Sequence, residues 1–142
     1  MLICSYCNKP TKLVTGKVLY PHRKDLYNLY FWNCEDCRAY VGTHKGKNHQ
    51  PLGTVGNLEL RNLRKSTHKV FDKLWKDGLH TRSSSYLWLS QKLRIPFKEC
   101  HIAMFNIIQC KETIAASVRE YDYKRKKYLD KINRRMNKNV GG

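Results

Sequence analysis

Between Thr11 and Gly42 the apolar residues come in short runs separated by turn formers. Lys12-Leu-Val-Thr15 and Lys17-Val-Leu-Tyr20 flank Gly16 and predict a hairpin over 11–20. Pro21-His-Arg-Lys-Asp25 is a polar break; Tyr27–Trp32 then predicts an aromatic strand and Arg38–Gly42 a returning one. His44–Gly56, rich in Gly, Asn and Pro, reads as a connecting loop. Beyond it the period changes. Leu60, Leu63, Thr67, Val70, Phe71 and Leu74 recur every three or four residues, which predicts a helix over 57–76 ended by Asp77-Gly78. Arg61, Arg64, Lys65, His68, Asp72 and Lys76 fall on its other side. A shorter helix is expected from a Ser83–Ser85 cap through Leu93, stopped by Pro96.

The last helix has the sharpest start. Asn106 with Gln109 three residues on fits a capping box. Its stripe is expected to be Ile107, Cys110, Ile114, Val118 and Tyr121, thinning into Tyr128, Leu129, Ile132 and Met136. Helix is expected to at least Tyr121, with the basic remainder ordering on a partner. No internal repeat is evident. The order of elements predicts an α+β chain: a zinc-ribbon-like β-module over residues 1–50, a helical part over 51–122, and a basic C-terminal helical extension over 123–142.

The chemistry of the first module is set by cysteine. Cys4-Ser-Tyr-Cys7 and Cys34-Glu-Asp-Cys37 are two Cys-x-x-Cys pairs separated by 26 residues. Each pair can bite a metal from a tight turn, and two such turns complete a tetrahedron closed around Zn²⁺. Asn8 follows the second cysteine, where tolerance of positive φ is useful. Redox Cys-x-x-Cys motifs open a helix after a strand within a βαβ pattern, and neither pair does. Disulfides are the other alternative. One structural zinc is the expected cofactor, contributing on the order of 10 kcal/mol to the folded state of a module too small to bury a large core.

Composition adds a second signal. The chain's 142 residues are 41% hydrophobic, with 9 Tyr, 4 Phe and 3 Trp, enough for a modest core. Twenty-eight Lys and Arg against eleven Asp and Glu give +17. Residues 123–142 hold eight basic residues and one acid, a net +7, which leaves +10 in residues 1–122. Such a field attracts polyanions, nucleic acid above all, and an acidic protein surface is the other class of partner. No run approaches the ~18 apolar residues of a membrane span. Cys4 lies three residues after Met1, leaving no room for a cleavable leader, so a reducing cytoplasm (of the host, for a phage product) is the expected location.

A set of short motifs in fixed order resembles a zinc-finger-containing domain family of phages and bacteria. The matching pieces are Cys4-x-x-Cys7, Tyr20-Pro-His-Arg-x-Asp-Leu-Tyr27, Phe31-Trp-x-Cys-x-x-Cys37 and Ala39-Tyr-Val-Gly-x-His44. They continue with Pro51-Leu-Gly-Thr54, Leu60-Arg-x-x-Arg64, His68, Phe71-Asp-x-Leu-Trp75, Arg82, Tyr86-x-Trp-Leu89 and Cys100-His-Ile102. Ala103 stands where the family pattern has Gly, and Asn106 where it has Asp. The resemblance spans residues 1 to about 110, implies zinc, and carries no activity across.

Function must therefore come from the residues. Arg23 and Lys24 in the polar break, Lys45 and Lys47 in the loop, Arg61, Arg64 and Lys65 on the first long helix, and Lys124, Arg125, Lys126, Lys127, Arg134 and Arg135 in the extension are the candidate phosphate contacts. Tyr20, Tyr27, Tyr30, Phe31, Trp32 and Tyr40 offer aromatic faces for bases, although strand alternation turns about half of them inward. His22, His44, His68 and His101 invite a metal-dependent nuclease reading, but Asp25, Asp36 and Asp72 form no spacing signature around them. His44 and His68 are better suited to hydrogen bonding between the two parts, and Asp72 can pair with His68 at i+4. Cys100, His101 and Cys110 are few for a second metal site, and packing is their expected role. The expected function is a non-catalytic, zinc-stabilised nucleic-acid-binding protein with DNA favoured and weak sequence preference. A phage-encoded inhibitor of an acidic host protein is the alternative, and a nuclease the third reading.

Overall fold

In the computed structural model, which describes residues 1–140, the chain forms two compact units. The first comprises Met1–Lys65 with His101–Ile107; the second comprises Ser66–Cys100 and the chain from Ile108 on.

The first unit is built on a three-stranded antiparallel sheet, β1 (Lys12–Thr15), β2 (Tyr30–Cys34) and β3 (Ala39–Gly42), in the order β1-β2-β3. Its register sets Leu13 opposite Trp32, Trp32 opposite Val41, and Cys34 opposite Ala39. One face thus carries Cys34, Ala39 and Val41 into a core with Cys4 and Val55, flanked by Leu2 and Trp32. The other face carries Phe31 and Tyr40, whose rings meet edge to face at 5.8 Å, each within 5.9 Å of Tyr20. The predicted 11–20 hairpin does not form. β1 pairs with the aromatic strand instead, and Gly16–Leu19 turns into a four-residue helix, α1. Gly16 makes this possible: its N–H donates to Leu29 O, and a Cβ there would sit 1.8 Å from Leu26 O. Close approach of backbone to backbone, not a reverse turn, is this glycine's use.

Helix α2 (Leu58–Phe71) starts where Asn57 Oδ1 accepts the Leu60 N–H at 3.0 Å, an N-cap bond. Its buried residues include Leu60, Arg64, Thr67 and Phe71. Arg64 is therefore on the inner stripe, and its expected place on a cationic outer face is corrected. Lys73–Lys76 forms a short α3 after a break at Asp72, and Gly78 (φ 77°) ends the run as expected.

In the second unit, α4 (Arg82–Leu93) is capped by Thr81 rather than by the serines: Thr81 Oγ1 accepts the Ser84 N–H at 3.0 Å. Ser85 is buried, its hydroxyl donating to Thr81 O at 2.8 Å. Arg94 closes the helix in the left-handed region, two residues before Pro96. The ring of Phe71 meets that of Tyr86 at 4.9 Å within a core that includes Leu74, Leu89, Cys100 and Cys110.

Helix α5 (Ile107–Val140) begins directly after Asn106, as expected, and continues past Tyr121. Its buried residues differ from the predicted stripe. Cys110, Thr113 and Ser117 are fully buried while Val118 is 46% exposed. Thr113 makes its burial tolerable by returning its hydroxyl to Gln109 O at 2.7 Å. Small side chains on the inner line let neighbours approach closely, and that packing outweighs the larger aliphatics beside them. The predicted 123–142 extension lies within α5 as far as Val140; its last two residues fall outside the described part.

Candidate metal centre

Two turns deliver the four cysteines, closed by different backbone bonds but alike in the conformation that ends them. In the first, Asn8 N–H donates to Cys4 O at 2.8 Å, and Cys4 N–H donates to Lys9 O at 2.9 Å. In the second, Arg38 N–H donates to Glu35 O at 3.2 Å. The residue after each second cysteine adopts positive φ, Asn8 at 60° and Arg38 at 51°. Asn8 signals this conformation in the sequence; Arg38 does not, because arginine has no preference for it. Thr11 fastens the first turn to the sheet by donating its N–H and its hydroxyl to Leu2 O.

All four Sγ atoms lie within 4.8 Å of one another, and those of Cys7 and Cys34 are 3.7 Å apart. A tetrahedron with Zn–S bonds of about 2.3 Å has edges of about 3.8 Å. The cluster therefore has the dimensions of a zinc tetrathiolate. None of the four is in a disulfide. Cys4 and Cys34 are buried, Cys7 and Cys37 half-buried.

Electrostatics argue the same way. At Cys4, burial opposes ionisation, but backbone hydrogen bonds from Tyr6 and Cys7 help outweigh it and the pKa is lowered. At Cys37, desolvation first and the neighbouring sulfurs next push the thiol up to about 12. Four sulfurs this close cannot all ionise beside one another without a cation, and a divalent ion supplies the missing charge. The residues fit one structural zinc, held by Cys4, Cys7, Cys34 and Cys37. Four thiolates fill its coordination, so the centre folds the chain and offers no open position for hydrolysis.

Among the described residues no other group of three or more His, Cys, Asp or Glu side chains converges on a metal-sized site. Cys100 is buried, points its thiol at Tyr86 O at 3.7 Å, and is pushed up to about 11 by burial. His68 Nδ1 lies 3.4 Å from Asp72 Oδ2, the i+4 pair anticipated above, and Trp75 Nε1 donates to the same carboxylate at 3.3 Å. His22 meets the Tyr20 ring edge-on at 6.5 Å. His44 and His101 are exposed.

The candidate cations divide. Arg64, only 8% exposed, donates through Nε and Nη2 to Phe105 O and through Nη1 and Nη2 to Thr54 at 2.6–3.1 Å. Its guanidinium is spent on the fold, a second reason to withdraw it from the phosphate contacts. Arg61 lies 3.9 Å over the Tyr40 ring and donates to Gly56 O and Arg38 O. Arg23 is exposed but forked onto Asp25 at 2.7 and 2.9 Å, which raises its pKa and lowers that of Asp25. Lys24, Lys45, Lys47 and Lys65 are exposed, as are Arg125, Lys126, Lys127, Arg134 and Arg135, with Lys124 half-buried.

No helix among the described residues is long and apolar enough to cross a membrane. The model of a family described as a zinc-finger-containing domain matches residues 1–120. No curated protein and no solved structure matches the chain.

Proposed function

The chain belongs to the zinc-finger-containing domain family, and from that premise we propose that it is a non-catalytic nucleic-acid-binding protein, with DNA favoured over RNA and weak sequence preference. The observation that carries this reading is the last part of α5. At about 100° per residue, Lys124, Lys127, Lys131, Arg134, Arg135 and Lys138 fall within an arc of about 100°. They span 14 residue steps, or about 21 Å, so successive cations are spaced about 4.2 Å apart along the axis on average, the same order as the roughly 3.4 Å phosphate spacing of one strand. All but Lys124 are exposed, and Asp130 is the one acid in this stretch. Lys24, Lys45, Lys47 and Lys65 add to the field. A helix that tracks a backbone by charge reads no bases, which is why weak sequence preference is expected.

Salt titration tests this. Affinity for duplex DNA should fall linearly in log–log form with a slope near −0.9 per neutralised phosphate. Arg134→Glu with Arg135→Glu should flatten that slope by about two contacts. A flat slope in the parent protein, or no binding near ~100 mM salt, contradicts the reading.

One observation favours the alternative. Tyr128, Leu129 and Met136 are 47–60% exposed; Tyr128 borders the cationic arc while Leu129 and Met136 fall on the far side of the helix, an apolar seam suited to docking on a protein surface, such as that of a host target. A partner that survives nuclease treatment during pull-down would support that alternative over nucleic acid.

A further inference from the structure

A groove of about 720 Å³ lies beside β2 and β3 within the first unit. Its walls include Tyr30, Phe31 and Leu52, and its rim carries Lys45, Lys47 and His49; no residue lining it is an acid. The loop forming one side is braced. Trp32 Nε1 donates to His49 O at 2.7 Å, His44 N–H donates to Gln50 O at 2.8 Å, and Thr43 bridges Pro51. The Tyr30 ring stands 4.2 Å from the imidazole of His49 and is 40% exposed; Leu52 is 42% exposed. Exposed aromatic and aliphatic surface beside uncompensated cations suits a ligand with one flat apolar part and one anionic part. A volume in the range of about 300–1,000 Å³ accommodates a molecule of that size.

We propose that this groove takes an unpaired nucleotide of a single-stranded nucleic acid, its base against Tyr30 and Leu52 and its flanking phosphates at Lys45 and Lys47. The inference rests on the nucleic-acid reading above and adds strandedness to it. A base within a duplex is stacked on both faces and cannot present one to a protein ring, whereas a base in a single strand can. The site differs in chemistry from the α5 face: beside the charge of its two lysines it contributes stacking, which salt does not screen, whereas the α5 face contributes charge alone.

The test uses the full, zinc-loaded chain and three fluorescent probes: a thymidine oligonucleotide of about ten residues, a uridine oligonucleotide of the same length, and a duplex. Tyr30→Leu should weaken binding of either single strand at least about fivefold, the low end of one lost stacking contact, with duplex affinity unchanged. Lys45→Ala with Lys47→Ala, on an exposed loop that holds its fold through backbone bonds, should lower the single-strand salt slope by about two contacts. Should Tyr30→Leu fail to fold, this second variant decides alone. Trp32 emission should also change on adding a single strand and not on adding duplex. Parental single-strand binding in the folded loop variant, or equal losses on duplex, overturns the groove. If the Arg134→Glu, Arg135→Glu variant still loses affinity in that case, the groove falls and the wider reading stands. If no probe binds the parent protein, both fall.

Discussion

Arg64 turns its charge inward, and its forked donors join the chain at Thr54 to the chain at Phe105. Arg64→Ala leaves those buried carbonyls unpaired and should cost about 2–4 kcal/mol in urea unfolding, while leaving the salt slope of DNA binding unchanged. Arg64→Lys should recover little, because a single ammonium cannot fork. Tyr40 offers a test by pH. Desolvation, helped by its hydrogen bond with Tyr20, raises its pKa to about 12. Stability held by the neutral phenol is therefore complete below about pH 10 and is lost as pH rises towards 12; ultraviolet difference titration should show this tyrosine ionising late. The four ligands were legible because their spacing is local and their chemistry specific. The role of Arg64 was not, since the residue type reads as surface and only the carbonyls facing it explain its burial.

At the scale of elements, the period of the apolar residues located α2, α4 and α5, and the aromatic run located β2. The failures came where a distant partner outbid a local pattern. Lys17–Leu19 has strand-forming residues, yet β1 finds its partner in β2, and the glycine that looked like a hairpin turn is a point of backbone contact. Gly53 is a second such point. A Cβ there would sit 2.0 Å from Ala103 O, at the place where Thr54 N–H donates to that same oxygen. Gly53→Ala should lower the stability of the first unit by about 2–3 kcal/mol, measured by denaturant midpoint, as overpacking against an unyielding backbone does. The inner line of α5 was hidden for another reason: Thr113 and Ser117 score as polar, while in the helix their small volume is what matters.

For the molecule as a whole, zinc supports the fold, and the charge is what the proposed function rests on. Binding requires thiolates, so protons compete with the metal. Zinc affinity should fall as pH drops from about 7 to about 5, and a chromogenic chelator should strip the metal progressively faster over that range. With zinc gone, the core of Cys4, Cys34, Ala39, Val41 and Val55 loses its anchor, and the strand signal in circular dichroism should go with it. The most direct test of the tetrathiolate centre is a native mass spectrum of the purified chain, alone and after thiol alkylation without denaturant. The account predicts one zinc per chain, with Cys4, Cys7, Cys34 and Cys37 protected until the metal is removed. A folded, metal-free chain whose four cysteines alkylate freely would contradict it.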